Sequence, residues 1–316
     1  MNRLVLERRQ VWVYLAAIAV GLLAGSAWPG AGVALEPLLW PTLVLLLYAA
    51  FVQVPLMRLR RALAGGRLAA AVVIGNFVLM PALAWALVQW LPPDPALRSG
   101  GLLVLLVPCT DWFIAFSQLG GGDTPGAVAV TPVNLALQLL LLPLYLWLMA
   151  GAELAIAFDV RSVWPALVVV ALPLLAALAS ERWIGARPER EWLRERLGWW
   201  PVPLLALVLL LVAVAHAGQV RGAIGLLPVL LPVYVVFLLL AALVARGMAT
   251  LMSLPVAQGR TLAFSLGSRN SFLVLPLALA LPAGWEVAAV VIVVQSLVEL
   301  FGMAFYLWWV PRRLFR

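Results

Sequence analysis

The chain of 316 residues contains no lysine, one histidine and one cysteine, and only 11% of it is charged. A single cysteine excludes an internal disulfide, a CxxC redox pair and a structural zinc site. The polar residues form no cluster of metal ligands, no nucleophile–base pair and no phosphate-binding glycine loop, and Gly120-Gly121-Gly122 fits a tight turn. No enzyme and no cofactor is therefore expected. Soluble domains carry about 25% charged residues, so the scarcity of charge also argues against a soluble protein, a nucleic-acid binder and a disordered scaffold. The net charge of +8 rests on 21 cationic residues, all arginine, a bias we ascribe to base composition.

What the chain has instead is apolar length. Hydrophobic residues make up 65% of it, more than one globular core can absorb. A bilayer-spanning helix needs about 20 mostly apolar residues. Such stretches fall near 11–29, 36–56, 69–91, 100–119, 125–150, 164–180, 200–219, 223–246, 261–282 and 286–310. The first runs on into further apolar segments, so it reads as a span and not as a cleaved signal peptide. The expectation is an all-α integral membrane protein of ten transmembrane helices.

Arginine placement supports that count, because cytoplasmic loops retain positive charge. When the connections alternate between two sides, the first collects Arg3, Arg8, Arg9, Arg58, Arg60, Arg61, Arg67, Arg182, Arg187, Arg190, Arg194, Arg196, Arg246, Arg260, Arg312, Arg313 and Arg316. The second holds only Arg98, Arg161 and Arg221, and Arg269 lies inside a span. Both termini are expected in the cytoplasm, with the chain in a bacterial inner membrane. The polar connection from Ser180 to Trp199 divides the spans five and five, with halves at residues 1–150 and 151–316 of one membrane domain. Odd-numbered halves in series have opposite orientations, the inverted-repeat plan of many secondary transporters. Trp40-Pro41 and Trp200-Pro201 open corresponding spans, and Asn134/Gln138 and Gln295/Glu299 are polar pairs four residues apart on corresponding helices.

Three charged residues lie well inside the expected spans: Asp111, Arg269 and Glu299. A charge at the bilayer centre costs at least about 2.5–3.5 kcal/mol, so these residues face protein or a watered cavity. One reading is a buried ion pair that only fixes packing. The surroundings favour a solute site. Span four carries Cys109, Thr110 and Ser117 around Pro108, span five carries Thr131, Pro132 and Asn134, and span nine carries Ser265, Ser268, Asn270 and Ser271. Proline and glycine there favour helices broken near the midplane, whose ends aim donors and carbonyls at a common point. Asn76, between Gly75 and Phe77, is a further buried-amide candidate. His216 reads as an interfacial or packed residue, and Trp199, Trp200, Trp308 and Trp309 as part of an interfacial belt. Cys109 supplies the chain's one soft ligand, suited to transient contact with a thiophilic solute.

Val107-Pro108-Cys109-Thr110-Asp111-Trp112-Phe113, then the glycine turn and Thr131-Pro132-Val133-Asn134-Leu135, resembles the fourth and fifth helices of arsenite efflux carriers of the bile acid/sodium symporter-like superfamily. Val294-Gln295-Ser296-Leu297-Val298-Glu299 resembles their last helix. The resemblance extends over essentially the whole chain. It implies a panel of spans one, two, six and seven beside a core in which broken spans four and nine cross. It also implies that Cys109 contacts trivalent arsenic and that Glu299 takes part in substrate or proton coupling. Asp111 departs from it, adding a carboxylate where a neutral residue is expected. Ser265 and Arg269 depart from the related sodium-coupled carriers, which have glutamate and glutamine near those positions.

These readings together predict a secondary active exporter of arsenite or antimonite, with protons as coupling ion and the lipid bilayer as its surroundings. The expected solute-binding residues are Cys109, Thr110, Asp111, Asn134, Ser268, Arg269, Asn270, Gln295 and Glu299, with Cys109 the ligand to the metalloid. A carrier of an organic anion, coupled to sodium or protons, is the alternative. A membrane sensor is disfavoured, because no substantial soluble segment is available for its output.

Overall fold

The computed structural model describes residues 3–28, 30–55, 66–110, 112–149, 160–215, 217 and 225–316. Asp111 and His216 lie outside the described residues. The chain is helical almost throughout: α1 Arg3–Ala27, α2 Ala31–Phe51, α3 Gly66–Val88, α4 Pro95–Leu106, α5 Trp112–Leu119, α6 Thr124–Met149 and α7 Val160–Gly185. There follow α8 Glu191–Leu197, α9 Pro201–Ala215, α10 Leu227–Leu251, α11 Val256–Gly267, α12 Ser271–Leu279 and α13 Val287–Trp309.

Among the described residues seven helical stretches are long and apolar enough to cross a membrane. They are Ala34–Phe51, Gly66–Val88, Thr124–Met149, Leu167–Gly185, Glu191–Ala215, Leu227–Leu251 and Val287–Leu314. Of the other expected spans, the first falls on α1, whose apolar part Trp12–Ala27 is shorter. The fourth and ninth fall on interrupted pairs, α4–α5 and α11–α12, in which neither half has the length to cross alone. Exposed Leu140, Trp147, Leu172, Leu175, Leu239 and Leu243 clothe the long helices in apolar surface, as a lipid solvent requires.

Two sets of helices pack internally. In one, α1 lies on α9, α9 on α2, and α2 on α7. Gly21 and Gly25 allow α1 to approach so closely that a Cβ at either would stand 2.6 Å from the carbonyl oxygen of Leu210 or Val214, the small-residue spacing that draws membrane helices together. Tyr48 and Ser180 hydroxyls pair at 2.8 Å between α2 and α7. The helix α7 thus runs on to Gly185, past the point where the sequence suggests a polar connection begins, with Glu181 buried.

The second set comprises α3, α4, α6, α10, α11 and α13, with α5 beside α6 and α11. Gly100 of α4 sits on the backbone of Ala288 of α13, where a Cβ would be 2.8 Å from the Ala288 Cα. The two sets meet mainly through α12, which touches α2 and α7 while also packing on α4 and α13. Local signals start and stop these helices. Asp94 Oδ1 accepts from Leu97 N at 2.8 Å to cap α4, with Pro95 next in line. Gly121 takes φ +67° in the turn between α5 and α6, and Asp123 Oδ1 accepts from Gly126 N at 2.9 Å as α6 begins.

Proline does not act uniformly. Pro132 and Pro143 lie inside α6 and Pro276 inside α12, all without ending the helix. In α3, the stretch Gly75–Leu79 widens into a π-helix just before Pro81. Pro81 cannot donate to the carbonyl of Phe77 four residues back, and the Tyr145 hydroxyl of α6 donates there at 2.5 Å.

Candidate functional site

The two interrupted pairs cross where their breaks meet. Val107 and Ser268, just past α4 and α11, are both extended. Pro108 and Arg269 form an antiparallel bridge: Cys109 N donates to Ser268 O at 3.1 Å and Asn270 N to Val107 O at 2.8 Å. That pairing explains why the breaks are stable in a setting without water, because each supplies the other's unmet backbone groups. Two helix C-termini (α4, α11) and two N-termini (α5, α12) consequently converge on a few residues.

Arg269 occupies the C-terminal side and is buried. Its Nη1 donates to Leu105 O at 3.2 Å, in the last turn of α4. Its Nη2 donates to Leu266 O at 2.7 Å and Ser265 O at 3.2 Å in the last turn of α11, and to Asn76 Oδ1 at 2.8 Å. One guanidinium therefore sits on the negative ends of two half-helices. Its carbon also lies 5.4 Å from the centre of the Phe237 ring. Asn76 completes the arrangement from the π-helical segment of α3, donating to Ser265 Oγ at 2.9 Å.

Glu299 approaches from α13. Its Oε2 accepts from the backbone N of Arg269 at 2.9 Å and from Gln295 Nε2 at 2.8 Å. Gln295 Oε1 in turn accepts from Ser271 Oγ at 3.1 Å, in the first turn of α12. Glu299, Cys109 and Tyr306 are all within electrostatic reach of the guanidinium. Asn270 caps α12, its Oδ1 accepting from Leu273 N at 3.3 Å, while its Nδ2 donates to Thr110 Oγ1 at 3.3 Å. The Ser268 hydroxyl is used within α11, donating to Phe264 O at 2.7 Å.

The structure thus brings together Cys109, Thr110, Ser268, Arg269, Asn270, Gln295 and Glu299. Asn134 lies on α6, which packs against both α4 and α5. Sequence reasoning left Asn76 and Ser265 out of the expected site, and Ser271 also. The available signal was an amide in an apolar run beside Gly75, five residues before a helix-disturbing Pro81.

Residues 40–223, more than half of the chain, match the Sodium Bile acid symporter family. The chain belongs to that family. The family is described as one of symporters, and with the apolar helices this makes the chain a multi-pass membrane protein of transporter type. An uncharacterized protein of Pseudomonas aeruginosa is 34% identical over 119 residues, covering 37% of this chain and 36% of that protein. A putative symporter of Escherichia coli, YfeH, is 29% identical over 66% of this chain and 64% of its own length. These similarities span less than two thirds of either relative. The arsenical-resistance protein Acr3 of Corynebacterium glutamicum is 25% identical over 96% of this chain and 89% of its own.

Proposed function

We propose that this family member is a secondary active carrier exporting arsenite or antimonite, with protons as the coupling ion. The observation that carries the reading is the placement of a buried thiol, Cys109, in the break of one half-helix pair, bonded through its backbone to the break of the other and within electrostatic reach of Arg269. The whole-length similarity to an arsenical-resistance protein supports the choice of solute. Trivalent arsenic exchanges hydroxide for thiolate without redox chemistry. The Cys109 S–H and one As–O bond break, S–As and O–H form, and water leaves. One sulfur holds the metalloid loosely enough for release.

Ten membrane crossings in two inverted halves, residues 1–150 and 151–316, suit the seven long helices, α1 and the two interrupted pairs. The antiparallel Pro108–Arg269 bridge is what a two-fold relation between halves would produce. The set α1, α2, α7 and α9 would act as a panel against which the core shifts to alternate access, with both termini cytoplasmic at a bacterial inner membrane.

Arg269 supports protons as the coupling ion. Half-helix C-termini and unwound carbonyls are the groups that bind sodium in transporters with broken helices. Here the carbonyls of Leu105, Ser265 and Leu266 accept from a guanidinium. A fixed cation there takes the place that sodium would fill, and Glu299 and Asp111 are the titrating groups that a proton cycle needs.

A second reading, transport of an organic anion, is favoured by the N-termini of α5 and α12 at the crossing and by the family's sodium bile acid symporter description. Everted membrane vesicles decide between them when pH and sodium gradients are imposed separately. Arsenite accumulation driven by the pH gradient without sodium is the expected result. Uptake of an organic carboxylate that arsenite does not inhibit would establish the second reading, and a steep sodium requirement would overturn proton coupling.

A further inference from the structure

Among the described residues, four polar atoms on α6 have no hydrogen-bond partner. They are Nδ2 and Oδ1 of Asn134 and Nε2 and Oε1 of Gln138, on side chains only 0% and 1% exposed. The two residues stand one turn apart on the same face of a continuous helix. At the crossing, by contrast, the amides of Asn76, Asn270 and Gln295 each donate and accept. An unmet buried donor or acceptor costs about 1–3 kcal/mol, and two whole amides left empty on one helical turn is a concentration that native interiors avoid. Both side chains are shielded from lipid, so water or a polar solute meets them.

Their chemistry selects the guest. Two amides present donors and acceptors in equal measure and carry no charge. A bare cation would satisfy the carbonyl oxygens and leave both NH2 groups unmet. An oxyanion would satisfy the NH2 groups and oppose the carbonyl oxygens. A hydroxyl both donates and accepts, so an uncharged solute bearing several hydroxyls answers all four atoms. It also spares the carrier the cost of moving a net charge through the bilayer centre. The helix α6 packs on α4 and α5, the two elements that flank Cys109.

We propose that Asn134 and Gln138 form the recognition wall for an uncharged, hydroxyl-bearing solute. On the function proposed above, on which this identification rests, that solute is arsenous acid, As(OH)3, and not its oxyanion. Cys109 replaces one hydroxyl and the amides hold those that remain.

The test uses the purified full-length chain and the variants Asn134→Leu and Gln138→Leu, whose melting temperatures are followed against arsenite below the pH at which it ionises, boric acid, and an organic carboxylate. Wild type is expected to be stabilised by arsenite and to a lesser degree by boric acid. Each variant should melt at or above the wild-type temperature without solute, because an unpaired buried amide has been replaced by an apolar group. Each should need at least tenfold more arsenite for half of the shift. A variant that responds to arsenite like wild type, or that melts well below wild type without solute, overturns the proposal. So does a wild type stabilised by the carboxylate alone or by none of the three. A wild type that answers boric acid but not arsenite, with the response lost in the variants, sustains the amide wall while removing arsenite as the cargo.

Discussion

Asn76 Oδ1 accepts from Arg269 Nη2 at 2.8 Å while Asn76 Nδ2 donates to Ser265 Oγ at 2.9 Å. A single amide thereby joins the π-helical stretch of α3 to the end of α11. Both partners are buried, and one is charged. Losing a hydrogen bond to a charged group costs about 1.5–3 kcal/mol. Asn76→Leu is therefore expected to lower the melting temperature of the detergent-solubilised protein by several degrees and to slow transport of any solute. Unchanged melting would mean that the crossing holds Arg269 without α3.

Arg269→Gln tests the guanidinium as a built-in cation. The substitution leaves the carbonyls of Leu105, Ser265 and Leu266 facing one another with no cation among them. Those oxygens then suit a hard monovalent ion. The variant is expected to gain thermal stability from sodium chloride that choline chloride does not give, while wild type is indifferent to the choice of cation. Binding to the folded state alone yields about 2.7 kcal/mol at a hundredfold excess over the dissociation constant, which a melting curve resolves easily. A wild type stabilised by sodium would place the ion elsewhere.

Much of this arrangement was legible in the sequence because a broken membrane helix is conspicuous. Pro108-Cys109-Thr110 and Gly267-Ser268-Arg269-Asn270 interrupt apolar runs, and no lipid-facing helix tolerates such a run of polar groups. Both breaks lie where those residues indicate. The long helices could be delimited by length alone, but α4 and α5 have 12 and 8 residues, each too short to be found that way. The acceptors of Arg269 could not be read at all. Three of them are main-chain carbonyls, which every residue carries: those of Ser265 and Leu266 lie in the turn just before Arg269, and the antiparallel pairing of Pro108 with Arg269 brings in that of Leu105. Likewise, Asn134 and Gln138 share a helix face on spacing alone, whereas their lack of partners is a property of the packed interior.

Cys109→Ser isolates the thiol. The side chain is 2% exposed and the backbone bond from Cys109 N to Ser268 O does not depend on it. The variant is expected to insert and melt close to wild type while losing arsenite resistance in cells by at least an order of magnitude. Cys109→Ala should behave in the same way, separating loss of sulfur from gain of a hydroxyl. Arsenite export at the wild-type rate by either variant would favour an organic anion as the solute.

Glu299→Gln separates coupling from binding. The Glu299 Oε2 oxygen accepts from Arg269 N and Gln295 Nε2, and an amide oxygen turned to the same place accepts both bonds. The network through Gln295 to Ser271 should therefore persist, and with it the start of α12. The amide does not titrate, so it holds the site permanently in the state of a protonated carboxyl. In vesicles the variant should still exchange labelled arsenite for unlabelled arsenite across the membrane, because exchange needs no proton cycle. It should fail to accumulate arsenite against a gradient when only a pH difference is supplied, and its exchange rate should not vary with pH over the range in which wild type does. Accumulation at the wild-type level would assign the coupled proton to Asp111. Loss of exchange together with accumulation would instead make Glu299 part of the binding site.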